Sequence, residues 1–164
     1  MALEVHVRRA RLNDAEAIAN FVNSARPGNP VVRLDVADRF SQVGFMIAEH
    51  EGRMVGLLGW QVENLVIRVT DFLIAPAIDR VVAGRALIQS MEEEGKLLQA
   101  EASILFLPPT PSRDLISYWE MFGYEHRPVS DMYKAWREAA AEWNATSSGV
   151  MIKQLRKDLT RRPI

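Results

Sequence analysis

The stretch Leu73–Gly95, LIAPAIDRVVAGRALIQSMEEEG, decides the fold. It starts as an apolar strand and stops at Pro76, which has no amide N–H to give to a ladder. A short turn follows, and the spacing predicts an amphipathic helix over about residues 80–98. Gly84, Leu87, Ile88, Met91, Gly95 and Leu98 recur on one face and mark its buried side. Glu92, Glu93 and Glu94 fall mostly away from that side, with Lys96 available to pair with Glu92. A strand-to-helix turn leaves the first helical N–H groups unpartnered at the positive end of the helix dipole, a setting that favours an anion. Phosphate-holding turns are usually rich in glycine, yet DRVVAGRA holds only Gly84.

Before this stretch, VHVRRAR (5–11) alternates in part and reads as a first strand. In NDAEAIANFVNSA, Asn13 with Glu16 is a capping-box pattern, and Ile18, Phe21 and Val22 share a helical face. RPGNP breaks that helix. RLDVADRFSQV reads as a second short helix through Leu34, Val36, Phe40 and Val43. FMIAEHEGRMVGLLGWQVE is a hairpin whose tight turn falls at Glu51-Gly52, where glycine supplies a positive φ. LVIRVTDFLIA, the next strand, leads directly into the quoted stretch.

After the long helix, ASILFLP is a wholly apolar strand, as expected for a central one. In PPTPSRDLISYWEMFG, Thr110 is a candidate cap with Pro111 at the first helical position, and Gly123 closes the helix. YEHRPVS reads as an edge strand because Pro128 removes a donor. DMYKAWREAAAEWN is a helix, SSG a turn, and VMIKQLRKDL a last strand or a short helix, with Val150 and Ile152 leaning to strand. The order is β-α-α-β-β-β-α-β-α-β-α-β. That predicts an α/β fold: a mixed sheet of about seven strands with helices on both faces, and an extra helix before the last strand.

The 164 residues suit one domain. Its core spans about 5–130, the inserted helix about 131–143, and the last strand with a basic tail about 150–164. A net charge of −1 gives no global attraction to nucleic acid or to an anionic membrane. The sequence has no cysteine, which excludes disulfides and thiol catalysis. No apolar run reaches the roughly 20 residues that span a bilayer, and MALEVHVRRARLND is charged too early for a secretory signal. The expectation is a soluble cytoplasmic protein.

The order and several local features together resemble the GNAT acetyltransferase family. VRRARLNDAEAIANFV is similar to its first strand and helix, and FMIAEHEGRMVGLLGW to its second and third strands. FLIAP is similar to the end of its fourth strand, AGRALIQSMEEE to its cofactor-binding helix, and YWEMFGYE to its late helix ending in Gly-aromatic. The resemblance runs over about Val5–Arg137, with Val150–Leu155 as the usual last strand. It implies that the fourth and fifth strands splay apart around acetyl-CoA or another acyl-CoA. Backbone N–H groups of Arg80, Val81, Val82, Ala83, Gly84, Arg85 and Ala86 would face its diphosphate, and those around Leu73 and Ile74 a developing oxyanion. It further implies an amine acceptor, small molecule or peptide, attacking the thioester directly. Acceptor contacts would come from about Arg26–Gln42 and the inserted helix.

The chain departs from the family pattern in three places. The pattern Q/R-x-x-G-x-G/A falls on Asp79–Gly84, so the basic or amide position becomes Asp79, with Arg80 one place on. Val82 stands for the first glycine. The family's frequent general acid, a tyrosine four residues before the closing glycine, is Trp119 here, which has no proton to give at neutral pH. Tyr118 is adjacent and is the candidate acid; Asp71 and Glu63 are candidate bases. Ser112 stands where an asparagine is common. A catalytically inactive binding or assembly module of the same fold remains the alternative.

His6, His50 and His126 have no metal-ligand spacing, so no metal is expected. Lys153, Arg156, Lys157, Arg161 and Arg162 form a basic cluster without interleaved aromatics, which argues against nucleic acid. Met132, Trp136, Ala139, Ala140 and Trp143 form an apolar stripe that packs on its own domain or on a second subunit; the expectation is a homodimer through it.

Overall fold

The computed structural model of the chain describes residues 3–143 and 149–157. One sheet of seven strands runs in the order β1-β2-β3-β4-β5-β7-β6. The strands are β1 (His6–Arg9), β2 (Gly44–His50), β3 (Arg53–Glu63), β4 (Val66–Ile74), β5 (Ala102–Phe106), β6 (Glu125–Pro128) and β7 (Gly149–Gln154). The helices are α1 (Ala15–Ala25), α2 (Arg33–Arg39), α3 (Arg80–Leu97), α4 (Arg113–Glu120) and α5 (Lys134–Glu142). The element order is therefore the expected one. By its contacts the chain forms two compact units, one ending at Gln61 and resuming over Thr70–Met91, the other made of Val62–Val69 and the residues from Glu92 onward.

In the first unit, β1, β2 and β3 form an antiparallel meander. Glu51 and Gly52 both carry positive φ (52° and 75°), the geometry of a two-residue hairpin turn that matches strand twist. Ile18, Ala19, Val36, Phe45, Ile47 and Leu57 make the core between α1, α2 and the sheet. The expected Asn13–Glu16 capping box does not form. A 3-10 turn at Leu12–Asp14 precedes α1, and the Arg11 N–H donates to Asp14 Oδ2 at 2.7 Å. Asp14 has the stronger partner: Arg8 donates to both of its carboxylate oxygens at 2.9 Å, and this holds the carboxyl below its ordinary pKa. The second helix is also shorter than expected, ending at Arg39.

In the second unit, β4 and β5 run parallel, pairing Val66 with Ala102, Ile67 with Ser103 and Arg68 with Ile104. β7 is antiparallel to β5 and to the edge strand β6. The last segment is therefore a strand, and Val150, Met151 and Ile152 are all buried because β7 lies inside the sheet. The apolar stripe of α5 packs within its own unit: Met132, Trp136, Ala139 and Ala140 meet Val66, Ala102, Ile104, Val150 and Ile152. That face is covered by the chain's own sheet, so it is not the subunit contact expected from the sequence. The cap of α4 is Ser112, whose Oγ accepts from the Leu115 N–H at 3.1 Å, in place of Thr110. Gly123 follows with φ 90°.

Two expectations for α3 are corrected. Glu92 is buried, not solvated. It lies four residues after Ile88 and three before Gly95, so helical spacing puts it on the buried stripe. Its carboxylate is satisfied there by the Tyr124 hydroxyl at 2.9 Å and the Lys153 ammonium at 2.9 Å, and Lys153, not Lys96, is the partner. Leu98 is exposed, because α3 ends at Leu97 and the chain turns away through Gln99 at φ 62°.

Candidate functional site

The head of α3 lies in the first unit, joined to β4 by Ala75–Asp79. Asp79 is its cap. Asp79 Oδ1 accepts from the Val81 N–H at 2.9 Å and from the Val82 N–H at 3.1 Å, and the Asp79 carbonyl accepts from the Ala83 N–H at 3.1 Å. The amides of the second and third helical residues thus converge on one anionic oxygen. The chain's own carboxylate engages two of the amides that the sequence singled out.

Arg80, Val82 and Arg85 are exposed, Val81 and Ala86 half-buried, and Ala83 and Gly84 buried. Leu73 and Ile74 end β4 and are half-buried. The Val82 and Ala86 side chains line a groove with His6, Glu49 and Gly52.

Asp71 sits on β4 in the same unit, its side chain 17% exposed. Arg39, the last residue of α2, donates to both carboxylate oxygens at 3.1 and 2.6 Å, and the Thr70 hydroxyl donates to Oδ2 at 2.7 Å. Gly59 on β3 makes room for the pair. A Cβ there would overlap Asp71 Oδ2 and lie 2.8 Å from Thr70 Oγ1. Arg39 was not singled out from the sequence; it is 32 positions from Asp71 and no local pattern links them.

Tyr118 and Trp119 belong to the second unit. Trp119 is fully buried and packs edge-on against Tyr124, a core role that suits an indole. Tyr118 is 9% exposed, its ring edge-on to Trp119 and Phe122. Tyr124 is a third tyrosine in view, but its hydroxyl is engaged by Glu92 and by Ser103 Oγ at 2.8 Å. Burial first, and then the Glu92 charge, push its pKa well above the ordinary value, so it holds its proton.

Among the described residues, no group of three or more His, Asp or Glu could hold a metal ion, and no helix is long and apolar enough to cross a membrane. Lys153 turns inward to Glu92, Arg156 donates to the Gln99 carbonyl at 3.1 Å, and Arg161 and Arg162 lie outside the described residues.

No protein-family model matches the sequence, and no curated protein matches it. Among solved structures the fold is that of GNAT acetyltransferases. A GNAT-family acetyltransferase from Staphylococcus aureus Mu50 superposes with a TM-score of 0.73 at 11% identity, over 93% of this chain and 100% of its own. A putative acetyltransferase from Salmonella typhimurium, solved with its cofactor acetyl-CoA, gives 0.68 at 13% identity, over 95% and 96%. N-acetylglutamate synthase from Neisseria gonorrhoeae, complexed with coenzyme A and N-acetyl-glutamate, gives 0.65 at 16% identity; 96% of this chain matches 36% of that one.

Proposed function

We propose that the chain is an acyl-CoA-dependent N-acyltransferase acting on an amine. One observation carries the reading: the Val81 and Val82 amides at the head of α3 converge on a single anionic oxygen. A diphosphate oxygen asks for the same donors at the same kind of place. Those donors fit the group once Asp79 turns outward. Releasing a helix cap costs about 0.5–2 kcal/mol, which is a tax on affinity and not a barrier to binding.

In this reading the amides of Val81 and Val82 hold the diphosphate, and the Leu73 and Ile74 amides serve the oxyanion. The thioester supplies an activated acyl carbon. The acceptor nitrogen bonds to that carbon, the carbon–sulfur bond breaks, the nitrogen loses a proton and the thiolate gains one. With no cysteine in the sequence, direct transfer without a thioester enzyme intermediate is the route. Asp71 is the assigned base and Tyr118 the assigned acid. Tyr118→Phe tests the latter: turnover falls while coenzyme A affinity holds, and unchanged turnover removes the assignment.

A second reading, a catalytically silent binding or assembly module of this fold, is favoured by one specific observation. Trp119, at the position where the resemblance expects a tyrosine, is a core residue. Thermal shift with acetyl-CoA separates the two. A ligand at 100 times its Kd adds about 2.7 kcal/mol, whereas no shift at millimolar acetyl-CoA supports the silent module.

A further inference from the structure

The second unit ends in an open strand. β6 closes the strand order, so one side meets β7 and the other faces away, and all four of its residues are exposed. We propose that this edge is where two copies of the chain pair, antiparallel, about a two-fold axis at His126. The inference does not depend on the transfer reading.

The register decides which backbone groups are open. The Leu107 N–H donates to the Gly149 carbonyl, and the Leu155 N–H to the Glu101 carbonyl, so odd-numbered residues of β7 turn their backbone groups to β5. Even-numbered ones turn to β6, where Val150 faces Arg127 and Ile152 faces Glu125. Glu125 and Arg127 therefore bond inward, and the His126 N–H and C=O point out of the sheet. One residue with both groups outward is half of a hydrogen-bonded antiparallel pair, and His126 of a second copy supplies the other half. Pro128 keeps the ladder short, because the next outward position has no N–H to donate. The pairing is accordingly weak and concentration-dependent.

Charge selects the axis. Glu125 and Arg127 share a face, and the Arg127 guanidinium donates to Glu125 Oε2 at 2.8 Å. With the axis at His126, Glu125 of each copy stands opposite Arg127 of the other. The four charges then alternate in sign around a square, and such a network holds better than a lone exposed pair. Moving the axis by one residue puts Glu125 opposite Glu125 or Arg127 opposite Arg127, and like charges directly opposite are destabilising. Beside the edge lies a groove of about 450 Å³, lined in part by Glu125, Arg127, Met132, Tyr133 and Trp136. Tyr133 is 58% exposed, with its ring edge-on to Trp136. Tyrosine and tryptophan are enriched at protein interfaces, and a two-fold axis at this edge brings the same patch of both copies together.

The test is sedimentation velocity on the full chain at about 0.5 mM, where weak pairs are populated. The wild type is expected to show a concentration-dependent dimer. Arg127→Glu sets glutamate opposite glutamate, and Glu125→Arg sets arginine opposite arginine. Each alone should weaken pairing by about tenfold or more, with its melting point near wild type because both positions are exposed. An equimolar mixture of these two variants should form a mixed dimer, and Glu125→Arg combined with Arg127→Glu should pair as the wild type does. In the wild type the His126 amide should exchange more slowly with deuterium as concentration rises. A monomeric wild type overturns the proposal and leaves this edge to solvent or to a different protein. A dimer that survives unweakened in both single variants, or a mixture that stays monomeric, places the contact elsewhere and overturns it too.

Discussion

Replacing Asp79 tests the grip on the thioester carrier, because this one side chain both caps α3 and stands where a diphosphate would be held. For the wild type, binding would mean giving up the cap, which costs about 1 kcal/mol. The displaced carboxylate would still face two negative charges. At a separation of about 7 Å in water each pair contributes roughly 0.6 kcal/mol of repulsion, and physiological salt removes about half of that. The combined penalty is about 1.5 kcal/mol, or roughly tenfold in Kd. Asp79→Ala removes both parts and should bind coenzyme A about tenfold more tightly, by calorimetry. Asp79→Asn keeps a cap and loses only the charge, so about threefold is expected from the Coulomb part alone. Pantetheine, which lacks the diphosphate, should bind all three forms alike. Without ligand the order reverses: Asp79→Ala should melt about 2–4 °C lower for each kcal/mol of lost cap, and Asp79→Asn close to wild type. If Asp79→Ala binds coenzyme A no better than wild type while its melting point falls, Asp79 is a cap and nothing more. The diphosphate would then not sit on these amides.

Gly59→Ala should cost about 1–3 kcal/mol in urea unfolding, because the new methyl meets Asp71 and Thr70; a loss under 0.5 kcal/mol would show that the Asp71 carboxylate is not held there. Lys153→Met leaves the buried Glu92 carboxylate without its cation, a loss of about 3–5 kcal/mol for breaking such a pair, whereas Lys153→Met with Glu92→Leu should recover much of it. The Asp14 carboxyl is held down chiefly by the hydrogen bonds from Arg8. Its stabilisation is therefore fully present above the ordinary value of 3.8 and is lost as pH falls through the lower folded value. The stability gap between wild type and Asp14→Asn should accordingly be constant near neutrality and narrow in acid, and a gap that persists unchanged at pH 2 contradicts the pairing.

Much of the fold was readable because its signals are local. The Glu51-Gly52 turn, the Pro76 stop, the Gly123 closure and the edge position implied by Pro128 each rest on one residue's backbone chemistry, and each element is where that chemistry put it. The misplacement of Glu92 arose where a charge was taken as a sign of solvent. Glu92 has the right helical spacing to be buried, and only its partners Tyr124 and Lys153, 32 and 61 positions away, make that burial tolerable. The Arg39–Asp71 pair was out of reach for the same reason. Asp79 was within reach. Aspartate is among the preferred caps, and its place just before a long helix is the usual signature. The family pattern drew attention to the basic or amide side chain missing there, and so away from the cap the carboxylate makes.

How far a diverged loop can drift depends on what its site is made of. A site made of side chains is lost when they change. One made of main-chain amides persists as long as the helix starts at the same residue, whatever side chains it carries. Val82 in place of a glycine adds bulk, but the Val82 N–H still points to the shared oxygen at Asp79, and the residue lines the groove beside His6 and Gly52. The loss of glycine therefore leaves the donors intact. In the proposed reading, binding would depend instead on a competition of about 1–2 kcal/mol between an internal anion and an external one. In the proposed reading, a diphosphate on a ligand with further contacts of its own would have more free energy to draw on than the single Asp79 carboxylate on an exposed turn.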